Sequence, residues 1–267
     1  MAGDPTKEIT KLVWSQGNYE EVAKRTIAAA TSLVDAAAVS DGDKVLDVAT
    51  GSGNVAILCA QRGAVVSASD ITPAMIELAR ARAERDGLEI DVREADAEEL
   101  PYEEGTFDHV FSVFGAMFAP RPAVAAAEMF RVAKPGGLVG MANWAPGGLI
   151  GRQSQIFMSA APGGPPDIDP LSWGTDDAVV ERFGPDADKV ETAHLSIREE
   201  YESLDAVIGY YETNLGPMIL LKQAIEAPRY EEMMQELRDL YASFNQATDG
   251  SVVVDAEYLQ VIARKRA

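Results

Sequence analysis

The feature that most constrains the fold is an alternation running from about residue 44 to 144. The apolar run "VLDVA" (45–49) opens through "TGSG" into "NVAILCAQ", and the same order of apolar run, turn and amphipathic stretch then recurs down the chain. Helical periodicity covers about Tyr19 to Val39, the turn "SDGDK" follows, and a strand is expected from Val45 to Ala49 with a helix from about Asn54 to Gln61. The strand "AVVSASD" comes next, and then a helix ending near Gly87, with Thr72 as N-cap and Pro73 as first helical residue. Further strands are expected at Ile90 to Arg93, in "DHVFSVF" and at Leu138 to Ala142, with a helix within Ala123 to Ala133. Strands alternating with helices over short links predict an α/β fold, with a mainly parallel sheet covered by helices on both faces.

The regularity stops at Pro146. Residues 146–188 are rich in glycine and proline ("APGGPPDIDP"), Thr192 to Tyr201 reads as another strand, Leu204 to Asn245 as helices, and "SVVVDAEYLQVIARK" as a last strand. The late helices lie between two strands that complete the sheet, so they read as an inserted cap. The expected division is N-terminal lid helices in 1–40, a ligand-binding core in 41–145, a lid or substrate insertion in 146–188, a core strand in 189–202, a helical cap in 203–250 and a final core strand in 251–267.

In an open α/β sheet a ligand lies beyond the carboxyl ends of the strands, on the first strand-to-helix turn. Here that turn is Gly51-Ser52-Gly53, where glycines admit positive φ and close approach of backbone to ligand. Gly51, Gly53 and Ala56 also satisfy the looser glycine pattern of NAD-binding folds, so the turn alone does not choose. Asp70 ends the second strand, placed to take both hydroxyls of a ribose, which either cofactor would want. Asp96 in "EADAEEL" follows the third strand, where a carboxylate can accept from an adenine amino group; hydride-transfer cofactors do not predict it. "TFDHVFSVFGAMF" gives a fourth strand ending in Phe114-Gly115 on the same cleft, and "FRVAKPGGLVGMANW" supplies a helix, a glycine turn and a fifth strand.

At these residues the sequence resembles the class I S-adenosylmethionine-dependent methyltransferases, in particular a small-molecule branch similar to the ubiquinone and menaquinone C-methyltransferases. The resemblance covers about Lys44 to Trp144 and implies a doubly wound, seven-stranded sheet of Rossmann-like type with its last strand antiparallel. It also implies S-adenosylmethionine as cofactor. Asp47 would orient the methionine amino group beside Thr50, Gly51, Ser52 and Gly53, Asp70 would hold the ribose, and Asp96 with Ala97 would meet the adenine edge. Ile71 and Met75 would pack on the ring and Phe114 would wall the cleft. "WSQGNY" resembles the lid helices of related enzymes, with Tyr19 reaching the methionine end.

Transfer from a sulfonium needs mainly positioning, so a base is optional. His194 in "ETAHLSIREEY" is the candidate for one. Acceptor contacts are expected from Met117, Phe118, Asn143, Trp144, Trp173, Tyr210 and Tyr211, a largely aromatic set suited to a small, partly apolar organic molecule, with O- or C-methylation favoured. A net charge of -20 without a basic stretch argues against a nucleic-acid partner. No metal-ligand spacing of His, Cys, Asp and Glu is present, and no long apolar run predicts membrane insertion. The lone Cys59 sits in the apolar pattern "VAILCA", and the expectation is a soluble cytoplasmic enzyme. Related enzymes pair through cap or N-terminal helices, which leaves a homodimer open. The competing readings are a non-catalytic SAM-binding or regulatory protein and an NAD(P)-dependent oxidoreductase.

Overall fold

A computed structural model describes residues 5–165 and 169–267; residues 1–4 of the expected lid and Pro166 to Ile168 of the expected insertion lie outside the described residues. In chain order the elements are α1 (Pro5–Trp14), α2 (Tyr19–Ala36), β1 (Lys44–Val48), α3 (Asn54–Gln61), β2 (Val65–Asp70), α4 (Pro73–Arg85), β3 (Ile90–Glu94), β4 (Phe107–Val113), α5 (Pro122–Val132) and β5 (Ala133–Trp144). They continue as α6 (Leu149–Ala160), α7 (Asp176–Phe183), β6 (Ala187–Tyr201), α8 (Leu204–Asn214), α9 (Gly216–Ala224), α10 (Ala227–Phe244) and β7 (Val252–Lys265). Short 3-10 turns occupy Ala116–Phe118 and Pro170–Gly174.

The strands form one seven-stranded sheet in the order β3-β2-β1-β4-β5-β7-β6, parallel throughout except that β7 runs against both its neighbours. The centre is apolar because helices cover both faces of its parallel strands: Val45, Leu46, Val48, Val110 and Phe111 are all fully buried. Thr72 takes the N-cap of α4 by position, yet its hydroxyl makes no capping bond there. Asp108 belongs to the opposite end of the sheet, where it accepts from the Lys44 N–H at 2.9 Å and pairs with Lys134 at 2.7 Å.

Two strands and one insertion differ from expectation, β6 because it starts at Ala187, not Thr192, paired there with Lys265 of β7. β5 starts at Ala133, not Leu138, because "KPGG" is absorbed as an irregularity in the β4–β5 register, with Gly136 at φ 75°. Residues 146–188 are not one lid. Helix α6 joins the cap, whereas α7 covers the sheet beside α5, its Phe183 ring 5.0 Å edge-on from Phe130. At Gly174 a Cβ would come within 2.0 Å of the Trp144 carbonyl oxygen, so that glycine marks close packing, not a loose loop.

The cap has a strand foundation. β5 stops where Trp144 pairs with Tyr258, but β6 and β7 stay paired as far as Tyr201 and Val252, so their antiparallel ladder overhangs the sheet. Ile197, Tyr201, Val252, Val254 and Ala256 share one face of the overhang, by the period-2 alternation of strands, and pack with buried residues of α6, α8, α9 and α10. A second buried cluster fills the face under α5 and α7, and a third lies under α2, α3 and α4.

Candidate functional site

The strand order reverses between β1 and β4, which opens a crevice at their carboxyl ends. Each strand leaves the sheet through a non-glycine residue in the left-handed region, Ala49 at φ 53° and Phe114 at φ 57°. Such backbone is strained and held in place only by its surroundings. Part of that constraint is Gly115, where a Cβ would lie 2.3 Å from the Ala49 carbonyl oxygen. The two strand ends therefore meet closely, Gly115 lying against the carbonyl and methyl of Ala49.

The floor of the crevice is made by carboxylates that hold backbone. Asp47, buried within β1, accepts from the Thr50 hydroxyl at 2.6 Å and from the Ala56 N–H at 3.1 Å, so it ties the strand to the glycine turn and to α3. Asp70, also buried, accepts from the Gly51 N–H and from the Thr72 N–H, each at 2.9 Å, and so joins the glycine turn to the loop after β2. Gly51 (φ 55°) and Gly53 (φ 90°) supply the positive φ of the turn, and a Cβ on Gly51 would meet nothing within 4 Å. Arg82 anchors the turn, donating to the Ser52 carbonyl at 2.6 Å and the Ser52 hydroxyl at 2.9 Å. Burial pushes the Asp47 carboxyl up to about 7, with the Asp70 charge adding to the rise, and burial moves Asp70 in the same direction. Met75 is buried in α4 and Ile71 half-buried just after β2.

Helix α1 straps the loop after β3 to the turn that follows β4. At one end Lys7 pairs with Asp96 and, at 2.6 Å, with the buried Glu98, while Lys11 reaches Glu94 at 3.5 Å; Ala97 is half-buried between the two acidic partners of Lys7. At the other end the Trp14 ring sits 4.8 Å from Phe118 and 5.9 Å from Tyr19. The chain then bridges to the cap: the Asn18 N–H donates to the Asn214 carbonyl at 3.0 Å, and the Gly216 N–H donates to the Tyr19 hydroxyl at 3.3 Å. A Cβ on Gly17 would come within 2.3 Å of the Asn214 carbonyl oxygen, so this junction requires glycine.

Beside the glycine turn stands an aromatic platform. The rings of Phe114 and Trp144, at the ends of β4 and β5, stack with centroids 3.7 Å apart and planes within 3°, and Tyr258 of β7 meets Phe114 edge-on at 5.7 Å. Of the expected acceptor contacts on α8, Tyr211 is instead buried in the cap core with its hydroxyl 2.6 Å from that of Tyr241, while Tyr210 is half-buried at the edge of that core.

Other expected site residues are not brought here. His194 is on the edge strand β6, mostly exposed, with Nε2 2.8 Å from Asp176 at the start of α7. By strand alternation it faces away from the cap, which corrects its expected place in the substrate chamber. Trp173 is corrected likewise: it is fully buried under the sheet, 6.0 Å from Phe183 with Arg182 stacked 4.6 Å above its ring. Met117 is fully buried in that same cluster, and only Phe118 of the pair reaches the strap. Asn143 is fully buried on the Met141 face of β5, and neither its amide oxygen nor its nitrogen has a partner among the described residues.

The cap holds polar groups that sequence reasoning missed. Arg25 of α2 packs against the rings of both Tyr201 and Tyr210, which themselves meet edge-on at 6.0 Å, Glu199 accepts from the Tyr201 hydroxyl at 2.8 Å, and the Tyr241 hydroxyl lies 2.6 Å from that of Tyr211 and 2.8 Å from Gln153 Oε1. The one available signal was the alternation in "REEY", which puts Glu199 and Tyr201 on a single face of a strand.

The family of sequences described as a methyltransferase domain matches residues 46–141, the span from β1 into β5. The chain is a class I SAM-dependent methyltransferase. Over nearly its whole length it is also 34% identical to the uncharacterised protein Rv1405c of Mycobacterium tuberculosis, across 96% of this chain and 94% of that protein. It is 41% identical to the demethylmenaquinone methyltransferase of Thermus thermophilus over 39% of this chain and 48% of that enzyme. In fold it is similar to the YcgJ protein of Bacillus subtilis, with a TM-score of 0.66 and 18% identity, covering 90% of this chain and 99% of that one. The methyltransferase's cofactor, S-adenosylmethionine, fits the residues present: carboxylates in a buried floor, and a glycine turn open to a ligand.

Proposed function

We propose that this methyltransferase acts on a small, partly apolar organic acceptor, with O- or C-methylation favoured. The observation that carries the reading is the parallel Phe114–Trp144 stack, set beside the glycine turn by strained backbone at Phe114 and flanked by Tyr258. A flat aromatic surface at that position favours an acceptor with a flat, apolar part over a strongly hydrated one. The likeness to a demethylmenaquinone methyltransferase supports a quinone-like or phenolic body, but it covers 39% of this chain. The cap's contribution must be argued from its own residues.

In this reading Asp70 would hold the ribose, Asp96 with Ala97 the adenine edge, and Asp47 with the turn Thr50 to Gly53 the methionine end. Bound S-adenosylmethionine supplies a methyl group already activated by its sulfonium. The protein's share is then to orient the acceptor, exclude water beneath α1 and complete the wall with Tyr19 and Phe118. No base from His194 is required, and His194→Ala should leave the rate and its pH profile unchanged.

The test is calorimetric titration with S-adenosylhomocysteine beside NAD and NADP, followed by a screen of phenols, quinones and amines with labelled S-adenosylmethionine. Binding of S-adenosylhomocysteine alone, with methyl transfer to a phenol or quinone, is the expected result. Transfer confined to amines would overturn the acceptor class.

A further inference from the structure

Helix α1 brings a cation to the cofactor side of the crevice. Lys7 Nζ is in contact with Asp96 and lies 2.6 Å from Glu98, and both carboxylates have further partners. Glu98, whose side chain is fully buried, accepts from the Arg121 N–H at 2.5 Å and from the Arg121 guanidinium at 2.8 and 3.0 Å. Asp96 accepts from the Glu98 N–H at 2.9 Å. Arg121 thus balances Glu98, and Lys7 balances Asp96. An ammonium carries three donors, and the two carboxylates take two of them. With the Lys7 side chain 17% exposed and that of Asp96 25%, the pair is mostly desolvated yet reachable.

Hydrogen bonds tie this pair to the crevice floor. The Ala95 N–H donates to the Asp70 carbonyl at 2.9 Å, so the loop that carries Asp96 is bonded to the residue whose carboxylate holds the glycine turn. β3 lies parallel to β2 with Glu94 opposite Asp70, which sets Asp96 two residues beyond the end of that ladder. Lys11, one helical turn after Lys7, reaches Glu94 at 3.5 Å and holds the helix to the same loop. A planar ligand that meets the Asp96 carboxylate edge-on therefore also meets Lys7 Nζ, because Nζ touches that carboxylate.

We infer that Lys7 is a cofactor-binding residue whose ammonium, side by side with the Asp96 carboxylate, donates to a ring nitrogen next to the amino group of adenine. This rests on the reading above that puts the adenine edge at Asp96 and Ala97. The amino group of adenine is flanked by ring nitrogens, so the edge presents a donor beside an acceptor. A carboxylate alone answers only the donor, whereas a carboxylate with an ammonium against it answers both. Asp96 and Glu98 already fix the ammonium, so little side-chain freedom remains to be lost on binding. Helix α1 then takes part in choosing the base.

The experiment titrates the full chain by calorimetry with S-adenosylhomocysteine and with its 1-deaza and 7-deaza analogues, in each of which one ring nitrogen beside the amino group is replaced by C–H. One analogue should bind the wild-type protein more weakly than S-adenosylhomocysteine by about threefold or more, and that penalty should disappear in Lys7→Met, which keeps the stem and loses the ammonium. A lysine that only fastens the helix would weaken all three ligands alike. Equal binding of the three by the wild-type protein, or a penalty unchanged in Lys7→Met, therefore overturns the inference. Tighter binding of S-adenosylhomocysteine by Lys7→Met than by the wild-type protein overturns it as well, because the ammonium would then be competing for Asp96. Asp96→Asn tests the reading beneath: unchanged S-adenosylhomocysteine affinity in that variant would put adenine elsewhere, whereas a loss there with an unchanged penalty in Lys7→Met would keep adenine at Asp96 and remove Lys7 alone.

Discussion

The crevice and the cap, both at the carboxyl end of the sheet, bury charge by different means. Around the crevice, carboxylates are satisfied largely by backbone: Asp47 takes an N–H from Ala56, and Asp70 takes those of Gly51 and Thr72. In the cap, side chains satisfy side chains, as in Glu199 with Tyr201 and Arg25, or Tyr241 with Tyr211 and Gln153. Backbone partners lie within a few residues of a strand end, so the first arrangement is fixed by local geometry. The second is assembled from α2, α6, α8, α10 and β6, and it exists only when the cap is folded.

The comparison breaks first at Asp70. Replacing it by alanine leaves the N–H groups of Gly51 and Thr72 without their acceptor and frees the turn, and hydrogen bonds to charged groups are worth about 1.5–3 kcal/mol each. S-adenosylhomocysteine affinity measured by calorimetry should fall about a hundredfold. A change below threefold would sink the claim that this floor holds the cofactor.

Asp47 gives the next largest effect, and it is a pH effect. Its carboxyl is raised by burial to about 7, so the folded protein keeps a proton that the unfolded chain gives up near the ordinary value of 3.8. Between those pH values the native state binds more protons, and the free protein should lose stability as pH rises. Cofactor binding should run the other way, because the methionine ammonium proposed to lie next to Asp47 would favour the ionised carboxylate. S-adenosylhomocysteine should bind about tenfold more weakly at pH 6 than at pH 8, and Asp47→Asn should flatten that dependence.

The same contrast explains what was legible in the sequence. Residues 45–54 spell a strand, a carboxylate and a glycine turn in one unbroken stretch, and Asp70 and Asp96 stand at strand ends that periodicity locates, so the sheet and its floor could be read. Arg25 and Glu199 are separated by most of the chain, and no local pattern joins them. Trp173 was misplaced for a related reason: composition marked its segment as loop, while its fate was decided by Gly174 packing on Trp144. His194 sits in a correctly expected strand, but on the wrong face for the chamber.

A smaller effect sharpens the cap side. Tyr241→Phe removes a fully buried hydroxyl placed between Tyr211 and Gln153, leaving the Gln153 carbonyl without its donor. The cost should be about 1–2 kcal/mol in urea unfolding, with part recovered when Gln153→Leu is added. S-adenosylhomocysteine affinity should stay within twofold. If affinity fell along with stability, the two regions would be one cooperative site and the distinction drawn above would fail.

The smallest effect is expected where the two regimes meet, on α1. The strap is fastened to the cap by backbone, through Asn18 and Asn214, but to the cofactor side by Lys7 on Asp96 and Glu98. The Lys7–Asp96 pair is partly exposed, worth about 0.5–1 kcal/mol and weakened by salt, and Glu98 keeps Arg121 when Lys7 leaves, so this fastening is the one that should open. Lys7→Ala should speed S-adenosylhomocysteine dissociation about threefold at low salt, read by stopped flow from Trp14, and about 0.5 M salt should bring the unmodified protein close to the variant. Slower dissociation in the variant would mean that Lys7 and the cofactor compete for Asp96, making the strap a plug for the empty crevice and not a cover for the filled one.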